Sequence, residues 1–283
     1  MPELPEVEVL ARRLRPVIRG RIIRAIDVRH LKVLRPTSIR TFQRTLPGAR
    51  FTGLSRRGKY LLFQLRPRRG KEPILLVGHL GMTGRIFPAK KGQALPRHAT
   101  VVFDLGTMNL IFEDPRRFGR LNLDGGRLER LGPEPLSDDF TEKSFARELK
   151  RSRQAIKIKL LDQRLVAGIG NIYASEALFR ARISPRLAAN RLTAAQVGRL
   201  ARAIRQVLTE AIAWGSTVPV TFSGGKRIFY FEQGPEAEVF HPERLWVYDR
   251  AGQPCPTCGG PIKRIVQGAR STFYCPRCVA RQT

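Results

Sequence analysis

The sequence predicts an α+β fold with an N-terminal β-sandwich domain, a following helical domain and a C-terminal cysteine module. Short runs rich in β-branched and aromatic residues, separated by Gly or Pro, fill roughly the first 130 residues after one N-terminal helix. Helical periodicity then replaces them, and all four cysteines follow near the end of the chain. A chain of 283 residues is long enough for one large domain or two ordinary ones.

The N-terminal helix is predicted over Glu3–Arg15. Its apolar residues recur at helical spacing, and Pro5 falls in the first turn, where a helix tolerates proline. The β-like runs that follow are the expected strands of the sandwich. They are Tyr60–Leu65, Ile74–Val77, Thr100–Leu105 and Asn109–Glu113.

A Pro-rich, polar and acidic stretch, RLGPEPLSDDFTEKSF, predicts a linker near residues 130–145. The clearest helix beyond it follows Thr193, which is spaced to form a capping box with Gln196. An apolar stripe runs from Val197 to Ala211, and Gly215 marks the end of the helix.

The charge balance indicates a polyanionic partner. Lys and Arg number 52 against 23 Asp and Glu, which gives a formal net charge of +29. Composition alone also fits a ribosome-associated or nonspecifically basic protein. No apolar run approaches the roughly 20 residues that span a bilayer, and the N-terminus lacks a secretory signal pattern. We therefore expect a cytoplasmic protein that is not secreted and has no membrane partner.

The four cysteines form two pairs, Cys255-x2-Cys258 and Cys275-x2-Cys278, that flank a predicted strand–turn–strand segment. This spacing favours a zinc ribbon with four thiolate ligands. The alternative of two disulfides or free thiols is disfavoured in a reducing compartment. Because four thiolates leave no open position for water, we expect one structural Zn²⁺ per chain. Arg270 falls near the turn of the hairpin, where it suits contact with a DNA groove.

A glycine-rich loop, GIGN, precedes a helix expected to begin near Asn171. Glycines let a backbone approach a phosphate closely, and free N–H groups at a helix start attract anions. This short motif is weak by itself, but it lies in a strongly basic part of the chain. Lys157 and Lys159 are expected near the same phosphate.

The opening residues MPELPEVE suggest a nucleophile. Removal of Met1 would expose the secondary amine of Pro2, and an α-amine has a pKa near 8, below that of lysine. Such an amine can attack a sugar carbon and form an iminium that acts as an electron sink. Glu3 and Glu6 are placed to move protons. The alternative is that these residues only cap a helix.

Taken together, these residues resemble the formamidopyrimidine-DNA glycosylase and endonuclease VIII family. The resemblance spans nearly the whole chain, through MPELPEVE, RRGKYLL, HLGMTG, DPRRFG, LGPEPLSDDF, GIGNIYASE and the cysteine module. It implies a helix–two-turn–helix domain between the sandwich and the zinc finger. The expected divisions are a catalytic sandwich domain at 1–130, a linker at 131–150, the helix–two-turn–helix domain at 151–220, a possible base-capping loop at 221–250 and the zinc finger at 251–283.

The resemblance also implies roles for individual residues. The expected catalytic residues are Pro2 as nucleophile, Glu3 as acid, Glu6 in support and Lys59 beside the damaged nucleotide. Met82, Arg116 and Phe118 are expected to wedge the helix and fill the space of a flipped base. The expected DNA contacts also include His98, Arg117, Lys157, Asn171 and Arg270.

The implied activity is that of a bifunctional glycosylase and abasic-site lyase that removes oxidised purines through a Pro2 Schiff base. We expect double-stranded DNA with oxidised bases or abasic sites as the partner, a nucleoid-associated monomer, and no nucleotide cofactor. Two alternatives stay open: an endonuclease VIII-like enzyme for oxidised pyrimidines, and a non-catalytic binder of damaged DNA. The stretch around 221–250 is longer and more aromatic and acidic than the family pattern, which leaves substrate preference open.

Overall fold

A computed structural model describes residues 1–215, the short strands Val220–Thr221 and Arg227–Ile228, and residues 245–280. The chain forms two compact units. The first comprises Met1–Glu129 with Gly215–His241, and the second comprises Arg130–Trp214 with Pro242–Thr283. Most of the segment predicted as a base-capping loop, 221–250, lies outside the described residues.

The first unit is a sandwich of two four-stranded antiparallel sheets, as the sequence predicts. The strands are β1 Ala25–Val28, β2 Arg50–Arg57, β3 Tyr60–Arg66, β4 Ile74–His79, β5 Arg85–Lys90, β6 Ala99–Asp104, β7 Met108–Glu113, β8 Arg120–Asn122, β9 Val220–Thr221 and β10 Arg227–Ile228. The strand orders of the two sheets are β1-β6-β7-β5 and β2-β3-β4-β8. A separate pair, β9 and β10, is also antiparallel.

One apolar core holds the sandwich together. Alternate residues of β3 are buried, as the two-residue period of a strand requires, and they meet phenylalanines of β2, β6 and β7. Helix α1, Leu4–Ile18, contributes its apolar stripe to the same core. It continues past the predicted end because Ile18 is fully buried, although Pro16 interrupts the last turn. A short helix α2, Ile39–Thr45, begins at the N-cap Ser38.

The second unit is helical, as expected, and its described residues form four helices in the helix–two-turn–helix region and one in the cysteine module. They are α3 Glu142–Lys150, α4 Ile156–Leu160, α5 Asn171–Ala181, α6 Ala194–Ala213 and α7 Pro276–Ala280. The capping box of Thr193 and Gln196 is present at the start of α6. The cysteine module contains the hairpin of β11, Lys263–Gln267, and β12, Arg270–Tyr274.

Helix α3 departs from the sequence expectation, because it occupies the second half of the segment predicted as the linker 131–150. The hydroxyl of Thr141 caps the helix by accepting a hydrogen bond from the Ser144 backbone N–H. Phe145 and Leu149 are buried on one face, and the acidic and basic residues occupy the other positions. Two apolar residues four apart were too weak a pattern to predict this helix. None of the helices in the described residues is long and apolar enough to cross a bilayer.

Candidate active site and nucleic-acid interface

The N-terminus of the chain is buried against the start of helix α1. Pro2, Glu3 and Glu6 are all buried, while Met1 is partly exposed. Glu3 is the N-cap of α1, and its backbone N–H donates to Oε2 of Glu6 at 2.5 Å in a capping box. The two glutamates therefore do cap the helix, as the alternative interpretation has it. Capping also fixes both carboxyl groups beside the terminal amine.

The N-terminal amine lies among the charged groups that the sequence singled out. Burial lowers the pKa of this amine below its usual value, and the positive charges of Lys59 and Arg116 act in the same direction. The carboxyl groups of Glu3 and Glu6 oppose that shift. A lowered pKa leaves more of the amine unprotonated and nucleophilic at neutral pH. The structure thus brings four of the predicted site residues together around the chain terminus.

Lys59 reaches this site from a tight hairpin turn. β2 and β3 pair Arg57 with Tyr60, so Gly58 and Lys59 alone form the turn, with φ of +56° at Gly58. A two-residue turn with a left-handed glycine in first position suits the twist of the flanking strands. The Lys59 side chain is 5% exposed, so it is held in the unit rather than extended into solvent.

His79, at the end of β4, was not singled out from the sequence. Its ring lies 4.8 Å from the ring of Tyr60, and its Nδ1 accepts a hydrogen bond from the Gly81 backbone N–H at 3.1 Å. Burial lowers the pKa of His79 to about 4, with Lys59, Arg127 and Arg120 adding to the shift. His79 is therefore neutral at physiological pH. Its position at the head of the HLGMTG motif was the available signal.

The predicted wedge residues lie on two loops that approach each other closely. Met82 is 37% exposed and Phe118 is 53% exposed, which is unusual for such apolar side chains. Arg116 places its guanidinium 5.0 Å from the centre of the Phe118 ring. At Gly81, whose φ is +63°, an added Cβ would lie 2.7 Å from the backbone of Phe118. Only glycine permits this approach of the two loops.

Asp114 accepts hydrogen bonds from both of these loops. The sequence analysis did not single it out as a site residue. Its Oδ1 accepts from the Thr83 hydroxyl at 2.6 Å and from the Arg116 backbone N–H at 3.2 Å. Its Oδ2 accepts from the Gly119 N–H at 2.7 Å. Asp114 and Thr83 are 1% and 5% exposed. The signal was the Asp-Pro pair of DPRRFG, since Asp commonly bonds the backbone N–H groups that follow it in a turn.

His98 and Arg117 lie beside the same loop. The backbone carbonyl of His98 accepts from the Asp114 N–H at 3.1 Å. Arg117 is exposed and has a left-handed backbone with φ of +58°. The pKa of His30 is lowered by burial first and then by the charges of Arg117 and His98, which places all three near one another. The predicted contacts His98 and Arg117 are thus grouped with His30, which the sequence did not single out.

In the second unit, Gln163 supports the glycine-rich loop from within. Its side-chain carbonyl accepts from the Gly168 N–H at 2.9 Å, and its amide group donates to the Ile169 carbonyl at 2.8 Å. Helix α5 begins at Asn171 directly after Gly170, as predicted. A single polar residue thus sets the path of the backbone that leads into the helix.

The ammonium group of Lys157, a predicted phosphate contact, lies at the start of helix α5. The side chain is fully buried, and its ammonium donates to the carbonyl and Oδ1 of Asn171, both at 3.0 Å, and to Oγ of Ser175 at 2.8 Å. Three acceptors match the three donors of an ammonium group. The charge is enclosed by the start of helix α5, and a direct contact of Lys157 with a phosphate stays a prediction. Lys159 is instead paired with Asp162 at 3.1 Å.

Asn171 joins the start of α5 to the cysteine hairpin. Its amide Nδ2 donates to the carbonyl of Ser271 at 2.8 Å. Ser271 follows Arg270, which is exposed at the start of β12, and the turn between the strands consists of Gly268 and Ala269, both with positive φ. Hydrogen bonds thus connect Lys157 to Asn171, and Asn171 to Ser271, the residue next to Arg270.

The four cysteines form a single cluster with the geometry of a metal site. All are free thiols, and their sulfur atoms lie within 4.8 Å of one another. The Sγ atoms of Cys255 and Cys278 are 3.7 Å apart, and those of Cys258 and Cys275 are 3.4 Å apart. Zn–S bonds of about 2.3 Å in a tetrahedron place sulfurs about 3.8 Å apart, whereas a disulfide requires about 2.05 Å. The cluster therefore fits one structural Zn²⁺ and not two disulfides.

Three models of protein families match successive parts of the chain. The formamidopyrimidine-DNA glycosylase N-terminal domain matches residues 1–121, and the H2TH domain of the same enzymes matches residues 131–222. The zinc finger found in FPG and IleRS matches residues 252–281.

Full-length relatives carry one name. Proteins called formamidopyrimidine-DNA glycosylase from Symbiobacterium thermophilum and Thermus thermophilus are each 43% identical to this chain. Each match covers 98% of this chain, together with 89% of the Symbiobacterium protein and 98% of the Thermus protein. The solved structure of the Lactococcus lactis protein with DNA containing N7-benzyl-Fapy-dG is 34% identical, with a TM-score of 0.85 over 98% of this chain and 99% of that one. The Thermus thermophilus structure is 41% identical, with a TM-score of 0.80 over 99% of both chains. The chain belongs to the formamidopyrimidine-DNA glycosylase family.

Proposed function

We propose that this chain is a bifunctional DNA glycosylase and abasic-site lyase of base excision repair, which removes oxidised purines such as 8-oxoguanine and formamidopyrimidines from duplex DNA. Solved relatives are complexes with DNA that contains Fapy-dG, an abasic site or a carbocyclic 8-oxo-G. Because the substrate is genomic, we place the protein in the cytoplasm, as a monomer associated with the nucleoid.

One observation carries the proposal: the buried N-terminal amine lies among Glu3, Glu6, Lys59 and Arg116, and its pKa is lowered. The nucleophile is the secondary amine of Pro2, which becomes the terminus once Met1 is removed. With Met1 attached the Pro2 nitrogen is an amide and cannot attack. Pro2 is itself buried, so the burial and the charges that act on the present terminus act on it as well.

The reaction needs one nucleophile and mobile protons. The Pro2 nitrogen bonds to C1′ of the extruded nucleotide as the bond to the damaged base breaks, and a proton from Glu3 neutralises the departing group. Glu3, now a carboxylate, takes the proton of the Pro2 ammonium and passes it to O4′, so that the sugar ring opens to an iminium. Loss of a C2′ proton then expels the 3′ phosphate by β-elimination, and δ-elimination expels the 5′ phosphate. Lys59 stabilises the developing negative charge on phosphate. Glu6 holds Glu3 through the capping box.

The DNA contacts divide into wedge and phosphate groups. We assign Met82 and Phe118 to unstack the bases, and Arg116 to hydrogen-bond the orphaned partner base. We assign His98, Arg117, Asn171 and Arg270 to phosphates. Lys157 is assigned to positioning, since it holds Asn171.

The zinc ion has a structural role in this scheme. Bound to the thiolates of Cys255, Cys258, Cys275 and Cys278, it would supply a rigid base for the hairpin that ends at Arg270. Residues of the chain itself perform all the steps of the reaction above.

Two comparisons of strand cleavage test the proposal. Duplexes with 8-oxoguanine opposite C and with thymine glycol separate it from the endonuclease VIII-like alternative, and we expect faster cleavage of the 8-oxoguanine duplex. Faster cleavage of thymine glycol would reject the purine assignment. Pro2→Gly separates the proposal from a non-catalytic binder of damaged DNA. We expect the wild type to cut the duplex and the variant to lose cleavage. For a non-catalytic binder, the wild type and the variant would bind damaged DNA equally well, and neither protein would cut either duplex.

Glu3→Gln is the sharper variant, because glutamine keeps an acceptor for the helix cap but cannot donate an acidic proton. We expect release of 8-oxoguanine to fall by roughly 10²- to 10⁴-fold, the usual contribution of a general acid. Glu8→Gln is the matched control on the same helix, since Glu8 pairs with Arg12 and Arg56 instead of facing the terminal amine. Equal losses in the two variants would remove Glu3 from the mechanism.

A further inference from the structure

A basic groove lies at the tip of the β3–β4 hairpin in the first unit. It has a volume of about 610 Å³ and is lined by the hairpin residues 67–72, Ile74 and the end of helix α2. Arg44, Arg68, Arg69 and Lys71 contribute four positive charges to the lining, and Glu72 contributes the one negative charge. We call this feature the tip groove.

The tip groove lies at the opposite end of the hairpin from the N-terminal site. β3 begins directly after Lys59 and runs to Arg66, and β4 returns from Ile74 to His79. Tyr60 pairs with His79 at one end, and Leu65 pairs with Ile74 at the other. An extended strand of this length separates the two ends by roughly 20 Å. The groove is therefore not part of the site already described.

In the part of the chain that the structure describes, the cations of the tip groove lack the carboxylate partners that other cations of this unit have. Arg85 pairs with Glu113 at 2.6 Å and Lys91 with Asp104 at 2.8 Å. Within the described residues, none of the four groove cations forms an ion pair. The neighbouring strands add to the positive field, because Arg50 lies opposite Arg66 in the β2–β3 register and both are exposed. Like charges directly opposite each other destabilise a sheet.

The backbone at Gly48 leaves room for the side chain of Arg68, one of these cations. The stem of Arg68 crosses Gly48, where an added Cβ would lie 2.7 Å from Cδ of Arg68. Gly48 also has a φ of +84°, which an L side chain rarely adopts. The stem of Arg68 is thereby packed on Gly48, although Arg68 is exposed, as Arg69 and Lys71 are.

We propose that the tip groove is a second binding site for duplex DNA, which lets the enzyme hold one segment at its active site while it captures another. This inference depends on the proposed function in one respect, which is that the polyanion is taken to be DNA. Release from the first segment would then be accelerated by the second, so that the protein moves directly between segments during its search.

Duplex DNA suits the groove better than an acidic polypeptide does. Protein interfaces depend on buried aromatic anchors, and no aromatic residue lines the tip groove in the described part of the chain. Sequence-independent DNA contacts require only Lys and Arg placed to meet phosphates, whose charge density is high.

The test is the dissociation of the full-length protein from a labelled duplex with a stable abasic-site analogue, at increasing concentrations of unlabelled undamaged duplex. For the wild type we expect a dissociation rate that rises with competitor concentration. In the triple variant R44Q/R69Q/K71Q, this competitor-dependent rate should fall by roughly an order of magnitude, and its log–log salt slope should become shallower by about 2.7, or 0.9 per lost phosphate contact. Arg68 is left in place because it packs on Gly48.

The control variant R12Q/K90Q/K91Q removes the same charge from exposed positions outside the groove. It should keep the wild-type dependence on competitor. A competitor-independent rate in the wild type, or equal losses in the two triple variants, would overturn the proposal. Acceleration by polyglutamate but not by duplex DNA would also overturn it, in favour of an acidic polypeptide.

Single-turnover cleavage of an 8-oxoguanine duplex at saturating enzyme is measured alongside. It should be unchanged in both triple variants, since neither alters the active site. Because dissociation needs binding but not cleavage, a protein that transfers between duplexes without cutting them would reject the proposed function and leave the second site standing.

Discussion

The hydroxyl of Thr83 donates a hydrogen bond of 2.6 Å to Oδ1 of Asp114, and both side chains are buried. Thr83 directly follows Met82 in one loop, and Asp114 precedes Arg116 and Phe118 in the other. The bond therefore ties together the two loops that carry the proposed wedge. The same carboxylate holds the backbone N–H groups of Arg116 and Gly119, so the exposed Phe118 is presented by a buried polar network.

We predict that Thr83→Val and Asp114→Asn each weaken binding to a duplex with an abasic-site analogue. Each should also lower the free energy of unfolding by about 1–3 kcal/mol, the cost of leaving a buried polar group unpaired. Because the two side chains act through one bond, the double variant should lose less than the sum, with a coupling energy of at least about 0.5 kcal/mol. Thr52→Val is the control, since the Thr52 hydroxyl bonds the Gln64 carbonyl on the exposed surface of the same unit. Strictly additive losses would show that the bond does not couple the loops.

Lys157→Met tests whether this lysine positions Asn171 or touches DNA. We expect weaker binding to duplex DNA with an unchanged log–log salt slope, because the ammonium is buried among its three acceptors. A lost phosphate contact would instead make the slope shallower by about 0.9. Lys159→Gln, in the same short helix, is the control for a charge that is paired with Asp162. A shallower slope in Lys157→Met would restore the direct phosphate contact.

His79 should make the protein less stable in mild acid. Its pKa of about 4 in the folded state lies below the usual value of 6.5, so the unfolded chain binds a proton that the folded chain does not. Its stabilising contribution is present above pH 6.5 and is lost as pH falls towards 4. Between pH 7 and pH 5 the loss amounts to about 2 kcal/mol.

His79→Asn keeps an acceptor near the Gly81 N–H but cannot titrate. Denaturant unfolding at pH 7 and pH 5 should show a smaller loss in this variant than in the wild type, by about 2 kcal/mol. Equal losses in the two proteins would mean that His79 protonates in the folded state at its ordinary pKa.

The zinc site should be required for DNA binding but not for the integrity of the first unit. Cys275→Ser removes one of the four ligands at a fully buried position, so the variant should purify without stoichiometric zinc and bind duplex DNA far more weakly. Thr257→Ser, an exposed position between two ligands, is the control. Metal content and fluorescence anisotropy provide the measurements. Wild-type binding by zinc-free Cys275→Ser would reject the role of the finger.

Sequence patterns predicted the elements that depend on residues close together in the chain. The helix at Glu3, the capping box at Thr193 and the four-cysteine cluster all follow from short-range spacing, and the structure confirms them. Strands β2 and β5 were missed because their residues contradict the usual strand composition. β2 contains three arginines and a glycine, and β5 contains Pro88, which an edge strand tolerates because one side of its backbone is unpaired.

The supporting contacts of the candidate site were not predictable, because they join residues far apart in the chain. Asp114 and Thr83 are 31 residues apart, and Asn171 and Ser271 are 100 apart. The burial of Lys157 is a further case, since a lysine in a basic stretch resembles a surface cation until its acceptors are known. Spacing identifies residue types that suit a reaction, whereas tertiary packing decides which of them are enclosed.

We expect the amine of Pro2 to form the covalent intermediate with the sugar. Borohydride reduction during reaction with an 8-oxoguanine duplex converts the iminium to a stable amine, after which proteolysis and mass spectrometry locate the adduct. We predict a cross-link on the N-terminal peptide, at Pro2, in protein that has lost Met1. Full-rate cleavage by protein that retains Met1, or an adduct on Lys59 and not on Pro2, would contradict the claim.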